Sequence, residues 1–367
     1  MTETSGPLKQ TPLVSWHRAR GARMAGFGGW DMPIQYAEGI LAETLYTRQA
    51  AACFDICHMG EFLVKGTPEE SGLEKIITVR LKDIPEGACR YGSILNPEGG
   101  VIDDLIVYRK KQDEWMIVVN AGTLEKDREH FKKFLTRDAE FCDLSEKLGK
   151  IDLQGPLARE ILKTLAPETC GLSYYTFMET DLLGRKALVS RTGYTGELGY
   201  ELFFSRPGIP ELWETLLSDK RLKPAGLGSR DILRLEMGYS LYGQDIDETT
   251  TPLEAGLERY VDFHKDFIGK EALLAQKNSG IPRRRVFFKT LSRRSPRHLQ
   301  KIYYNEKPCG EVTSGSFSPH LGCGIGMGFT GPIDLAQGEV ISVGEGTPRI
   351  EAVVTDKPFM KSTSLKK

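Results

Sequence analysis

Lys277-Asn-Ser-Gly-Ile-Pro282 divides the chain into two parts of different character. Asn, Ser, Gly and Pro within six residues favour a linker over the interior of a helix or strand. Beyond it, short runs rich in β-branched and aromatic residues alternate with Gly and Pro, at 286–290, 301–304, 310–315, 324–329, 340–343 and 350–354. Many short strands separated by turns predict a small barrel or sandwich. Before the linker, strand patterns at 61–65, 101–109, 114–120, 186–192 and 200–204 mix with helix patterns at 40–52, 68–77, 124–134, 156–165, 210–217 and 230–239. This predicts an α+β region over residues 1–278, followed by a separate β domain over residues 279–367.

The bulk composition agrees with more than one domain, because 367 residues exceed what a single hydrophobic core spans, about 250–300. No run approaches the ~18 consecutive apolar residues of a membrane helix. The 49 basic and 50 acidic residues nearly cancel, which argues against a nucleic-acid partner. One basic run, Arg283-Arg284-Arg285, reads either as a solvated strand end or as a surface for an acidic partner or polyglutamate tail. The opening Met1-Thr-Glu-Thr-Ser-Gly-Pro7 has neither the pattern of a signal peptide nor that of a transit peptide, so a cytoplasmic location is expected. Seven cysteines, an odd number, are spread along the chain and predict no disulfide framework. Cys53 and Cys57 read as small buried apolar residues, with no second pair at zinc-ligand spacing, and no metal is expected.

Three stretches carry chemistry. In Val101-Ile-Asp103-Asp104-Leu-Ile-Val-Tyr108, two acids interrupt an apolar strand. Alternation puts Asp103 on one face with Leu105 and Val107, and Asp104 on the other with Ile106 and Tyr108. A buried carboxylate must be paired, hydrogen-bonded or protonated. Asp103 also admits a plainer role, bonded to the amides of the Gly99-Gly100 turn. The second stretch, Arg191-Thr-Gly-Tyr194-Thr-Gly-Glu197-Leu-Gly-Tyr200-Glu201, reads either as a wide hairpin loop or as a site for a planar ligand. There a carboxylate would accept two ring-edge N–H groups and an aromatic ring would cover the face. Tyr91, Tyr174, Tyr175 and Trp30 are further aromatic candidates. In the third, Gly226-Leu-Gly-Ser-Arg230-Asp231, a cation stands near a helix start, where the macrodipole disfavours it. Arg230 therefore calls for an anionic partner, either external or the neighbouring Asp231. Gly322-Cys-Gly-Ile-Gly-Met-Gly328 lacks dinucleotide-loop spacing and reads as a strand whose glycines admit a close neighbour.

These stretches, with Thr11-Pro-Leu13, Gly29-Trp-Asp-Met-Pro33, Phe54-Asp-Ile-Cys-His-Met-Gly60, Tyr242-Gly-Gln-Asp245 and Thr313-Ser-Gly-Ser-Phe-Ser-Pro319, resemble the glycine cleavage T-protein family, in family order along nearly the whole chain. The resemblance implies two interwoven α+β domains forming a folate site, followed by a C-terminal β-barrel. It implies an aminomethyltransferase that takes a one-carbon unit from the lipoyl arm of H-protein to tetrahydrofolate and releases ammonia. By position it puts the essential aspartate at Asp104 and the pterin-edge carboxylate at Glu201. Tyr91, Tyr174 and Tyr194 match the aromatic and hydrogen-bonding wall, and Arg230 and Asn120 further folate contacts. Cys57 replaces the family's usual serine. Two alternatives share the fold: a folate-dependent demethylase of a small methylated donor, and a non-catalytic folate-binding accessory protein. The accessory group's K-G-C-Y-x-G-Q-E signature is absent, with Lys265-Asp-Phe-Ile-Gly-Lys-Glu271 in its place.

Overall fold

The computed structural model describes residues 6–366; the reading of residues 1–5 lies outside them. A small N-terminal sheet comes first, from β1 (Lys9–Gln10), β2 (Arg23–Phe27) and β3 (Trp30–Gln35), with helix α1 (Val14–Ala19). Helix α2 (Ile40–Gln49) leads into β4 (Ala51–Asp55). The chain then builds a five-stranded sheet from β5 (Gly60–Lys65), β6 (Ala88–Leu95), β7 (Val101–Lys111), β8 (Glu114–Val119) and β9 (Glu140–Asp143), with helices α3 (Leu73–Ile76) and α4 (Leu124–Phe134). It next returns through β10 (Leu148–Gln154), α5 (Ala158–Leu162), β11 (Phe177–Leu182), β12 (Arg185–Ser190), β13 (Gly199–Ser205), α6 (Ile209–Leu217), β14 (Leu222–Pro224) and α7 (Leu227–Glu236). These strands close a six-stranded sheet in the order β11-β12-β13-β10-β4-β14. Strand β4 is thus separated in sequence from its neighbour β10 by the whole five-stranded sheet β6-β7-β8-β5-β9. That separation is what interweaves the two lobes.

After helix α8 (Lys270–Ser279), six strands form a closed barrel: β15 (Arg284–Thr290), β16 (Lys301–Tyr304), β17 (Lys307–Ser318), β18 (Cys323–Thr330), β19 (Val340–Val343) and β20 (Ile350–Thr355). Closure removes the unpaired edges an open sheet would expose. The glycines of β18 admit close neighbours as expected: a Cβ at Gly328 would lie 2.2 Å from the Glu311 carbonyl oxygen. The linker is shorter than its composition predicts. Lys277 to Ser279 form the last turn of α8, and the break falls at Gly280, whose φ of +96° an L side chain resists.

Three helices are shorter than the periodicity predicts, the pattern at 156–165 being helical only over Ala158–Leu162. The pattern at 40–52 ends as a helix at Gln49, because Ala51–Asp55 is drawn between β10 and β14 and is buried throughout. The pattern at 40–52 puts Leu41, Leu45 and Ala52 on one apolar side, and that side is not the one α2 buries. Leu41 is 43% exposed, and α2 instead buries Glu43, Thr44, Thr47 and Arg48. The pattern at 68–77 is helical only over Leu73–Ile76, since Gly72 sits at φ +78° with Phe134 O closing the space beside it. Thr67 nevertheless accepts a capping-type hydrogen bond from Glu70 N (3.3 Å) within the preceding turn.

Arg48 is the reason α2 turns a polar face inward. Its guanidinium reaches Glu197 Oε1 (2.8 Å), Glu236 Oε2 (2.6 Å) and the Thr195 carbonyl (2.8 Å), and all three charged side chains are almost fully buried. Removing one partner of a buried pair leaves the other uncompensated. Arg48→Met should therefore lower stability by about 3–5 kcal/mol in urea unfolding at neutral pH. A loss below about 1 kcal/mol, the scale of a surface pair, would show that the cluster does not hold α2 in place.

Candidate active site at the seam of two sheets

The five- and six-stranded sheets pack face to face. Cys89, Tyr108, Met116 and Val118 from one meet Phe177, Leu188 and Phe203 from the other. Tyr108 and Asp104 alternate onto this face of β7, whereas Leu105 and Val107 enter the core on the opposite face with Phe131 of α4. The two adjacent acids therefore part company. Asp103 is fully buried on the α4 side, and Asp104 is half-buried on the seam side.

Asn120, just past β8, ties them together. Its side-chain nitrogen donates to Asp103 Oδ1 (2.9 Å) and Asp104 Oδ1 (3.0 Å), and its backbone N–H donates to Asp103 Oδ2 (3.0 Å). The Gly99-Gly100 turn does not serve Asp103; Asn96 takes those amides, with Gly100 N donating to its Oδ1 (2.8 Å). Tyr91 of β6 donates its hydroxyl to Asp104 Oδ2 (3.0 Å). Burial pushes the Asp104 carboxyl up, the neighbouring Asp103 charge adds to it, and the hydrogen bonds from Tyr91 and Asn120 only partly offset them, leaving it at about 7.

The six-stranded sheet supplies the opposite wall. Glu201 of β13 is buried, with Lys150 Nζ at 3.2 Å from Oε1 and hydrogen bonds from Thr192 and from Tyr108 (3.5 Å) on Oε2. Burial alone would raise its carboxyl, but Lys150, Thr192 and Arg230 outweigh it and hold it below the usual range. Arg230, in the first turn of α7, pairs with Asp152 of β10 and not with Asp231, which binds Arg234 (2.8 Å). Asp152 also accepts from Gln154 Nε2 (2.6 Å), and burial holds it up at about 6 against the pull of Arg230.

Tyr194 links the two walls. The Arg230 guanidinium lies over its ring at 5.1 Å, its hydroxyl donates to the Ser240 carbonyl, and its ring stacks on Tyr239 at 5.8 Å. Tyr174 is 38% exposed and stands at the rim, its ring 4.7 Å from Tyr175. Tyr91, Asp104 and Asn120 thus form one hydrogen-bonded group; Tyr194, Arg230 and Glu201 join it through rings and charges, and Tyr174 borders it. Trp30 is not brought here, and lies between Lys9 and Arg206 in the N-terminal sheet. A cavity of about 500 Å³ lined by Trp16, Tyr36, Tyr46 and Lys223 contains none of the seven candidates.

Four participants escaped the sequence reading. Lys150-Ile-Asp152-Leu-Gln154 carried a usable signal, since alternation puts Lys150, Asp152 and Gln154 on one face of an otherwise apolar strand, and all three are buried. Arg285 gave none within a basic run. Arg284 faces outward toward Asp334 (3.2 Å), but Arg285 turns inward to Ser240 and the Asp245 carbonyl, beside Tyr91 and Tyr194. The basic run is thus neither a uniform solvated end nor a uniform docking surface. Cys57, buried as expected, gives its Sγ–H to the Lys150 carbonyl (3.3 Å).

The sequence matches the GCVT N-terminal domain over residues 13–265 and the glycine cleavage T-protein C-terminal barrel domain over residues 283–361. The chain belongs to the glycine cleavage T-protein family. It is similar to a curated aminomethyltransferase of Halothermothrix orenii, at 43% identity over 358 residues, covering 96% of this chain and 100% of that one. It is similar as well to the aminomethyltransferase of Thermotoga petrophila, at 40% identity over 365 residues, covering 97% and 99%. Among solved structures, the glycine cleavage system aminomethyltransferase T from Bartonella henselae superposes with a TM-score of 0.92 at 32% identity, over 97% of this chain and 99% of that one. Among the described residues no helix is long and apolar enough to cross a membrane.

The T-protein fold leaves Lys150 dependent on Glu201. Lys150→Met should cost about 3–5 kcal/mol by stranding the buried carboxylate. Adding Glu201→Gln should recover at least half of that loss in a urea-unfolding double-mutant cycle; additive losses would show that the two charges do not act as a pair.

Proposed function

We propose that this T-protein family member transfers the one-carbon unit of an aminomethylated lipoyl arm, carried by H-protein, to tetrahydrofolate and releases ammonia. The observation that carries the reading is a carboxyl group poised near neutrality, Asp104, held by Tyr91 and Asn120 at a seam of paired charges. In this transfer the carbon leaves both sulfur and the amino nitrogen and bonds to two folate nitrogens. The two folate N–H protons leave, one ending on ammonia and one on sulfur. A carboxyl that titrates close to the working pH both accepts and returns a proton with little penalty. As carboxylate, Asp104 also stabilises the positive charge that develops on the iminium-like carbon.

The folate assignments rest on chemistry. Glu201 is an acceptor for the pterin's adjacent N–H groups, because a carboxylate has acceptor capacity beyond Lys150, Thr192 and Tyr108. Tyr91, Tyr174 and Tyr194 supply aromatic surface, and Arg230 offers a cation beside Tyr194. The curated relatives named above are aminomethyltransferases, which disfavours the demethylase and accessory alternatives. We place the domain boundary at Gly280, where α8 ends just beyond the expected step between 278 and 279, and the protein in a reducing cytoplasm, which suits its seven free cysteines.

Turnover should fall as pH drops through about 7, where Asp104 takes up its proton. An acid limb in the ordinary carboxylate range, about 4, would remove Asp104 from the titrating step. Asp104→Asn should fold and bind folate yet lose about 100-fold or more in turnover, measured as ammonia release from aminomethylated H-protein; near-normal turnover would refute the assignment. Glu201→Gln should weaken tetrahydrofolate binding about tenfold or more by calorimetry, and unchanged affinity would remove Glu201 from the pterin edge.

A further inference from the structure

Asp127 lies in the first turn of α4, fully buried, on the far side of β7 from the seam. No donor hydrogen-bonds either of its carboxyl oxygens with good geometry among the described residues; what stands against it is the carboxyl of Asp103 and the hydroxyl of Thr123. Two ionised carboxylates cannot share a buried site, so such a pair keeps one proton between them. Asp103 is the member that receives two N–H donations from Asn120, so it is the member that carries the charge. Burial and the Asp103 charge hold the Asp127 carboxyl up at about 10, in agreement with this placement of the proton.

We propose that Asp127 and Asp103 form a proton-sharing pair that positions the reactive carboxylate of the seam. Asp127 donates to Asp103, Asp103 fixes the Asn120 amide, and Asn120 turns its remaining N–H to Asp104. The relay crosses β7 from the covered face to the open one. It explains why an acid stands beneath a helix where an apolar residue would pack, and why two carboxylates are kept side by side. The Asp103 charge also keeps the proton affinity of Asp104 high. The other ionisable groups facing this cluster among the described residues are Tyr91 from β6, Tyr194 from the loop before β13, Tyr242, which feels the Asp103 charge, and Lys126 of α4, which is bound to Tyr242 (2.8 Å) and Glu248. Asp127 and Asp103 touch no reacting atom in this scheme and are positioning residues. The inference rests on the transferase reading for its kinetic arm alone.

Two measurements test it. Infrared difference spectra of the full chain at pH 7.5 should show a protonated carboxylic acid band that Asp127→Asn abolishes and that Glu61→Gln, at a second buried carboxyl which burial raises to about 8, does not. Loss of no band in Asp127→Asn would overturn the pair. In the ammonia-release assay, Asp103→Asn should move the acid limb of turnover down by about one pH unit, because it removes the neighbouring negative charge. Asp127→Asn, whose amide still donates to Asp103, should keep the parent limb and turnover within about threefold, whereas Asp127→Leu should lose about tenfold or more. A limb unmoved by Asp103→Asn, or an Asp127→Leu enzyme equal to the parent, would also overturn it. A parent that releases no ammonia would sink the transferase reading and leave the infrared result to decide the pair.

Discussion

A strand that carries two consecutive carboxylates into the protein has to satisfy them on opposite faces. β7 does this with one amide. Asn120 sits where both carboxylates are within reach, and its side-chain nitrogen serves both. Much of the seam follows from that bridge. It lets Asp104 stay on the face shared with Tyr108, where Glu201 and Lys150 stand opposite, while Asp103 is absorbed under α4. An apolar residue at 120 would leave two buried acids to find other donors or stay neutral.

The second constraint is the charge buried along α7. Glu236 receives Arg48 from α2 and Ser318 from the barrel (2.6 Å). Arg234 binds Asp245 (2.6 Å) and the Ser314 hydroxyl of the barrel (2.8 Å). One helix thereby locks the lobes to the barrel through hydrogen bonds whose geometry is directional, unlike apolar packing. Arg230, one turn earlier on the same helix, inherits that fixed frame. So does Tyr194, whose hydroxyl partner Ser240 also binds Arg285 from the first barrel strand. The barrel is thus part of the wall of the site.

The elements legible in the sequence were those whose local pattern and tertiary role agree. The helix at 124–134 and the strands at 301–304 and 340–343 lie where periodicity puts them. Alternation sufficed to separate Asp103 from Asp104. What the pattern hid was long-range pairing. Nothing near position 48 announces partners at 197 and 236, so α2 read as an apolar stripe when its inward face is polar. Arg230 was correctly read as needing an anion, but its partner comes from position 152, beyond any local signal. Arg285 looked like its neighbours because only long-range partners, Ser240 and the Asp245 carbonyl, distinguish it from Arg283 and Arg284.

The distribution of charge accounts for why one carboxyl in the seam is free to titrate. Glu201, Asp152 and Asp245 each have a cation at hand, in Lys150, Arg230 and Arg234. Among the described residues Asp104 has none; it has a phenol and an amide, and beside it an anion. Neutral donors stabilise a carboxylate less than an ammonium or guanidinium does, so burial and the Asp103 charge prevail and the carboxyl titrates at about 7. A cation placed against Asp104 would tighten the fold locally and would fix the carboxylate in its charged form. The cost is a less stable seam, and the return is a group able to change protonation state at the pH where the protein works.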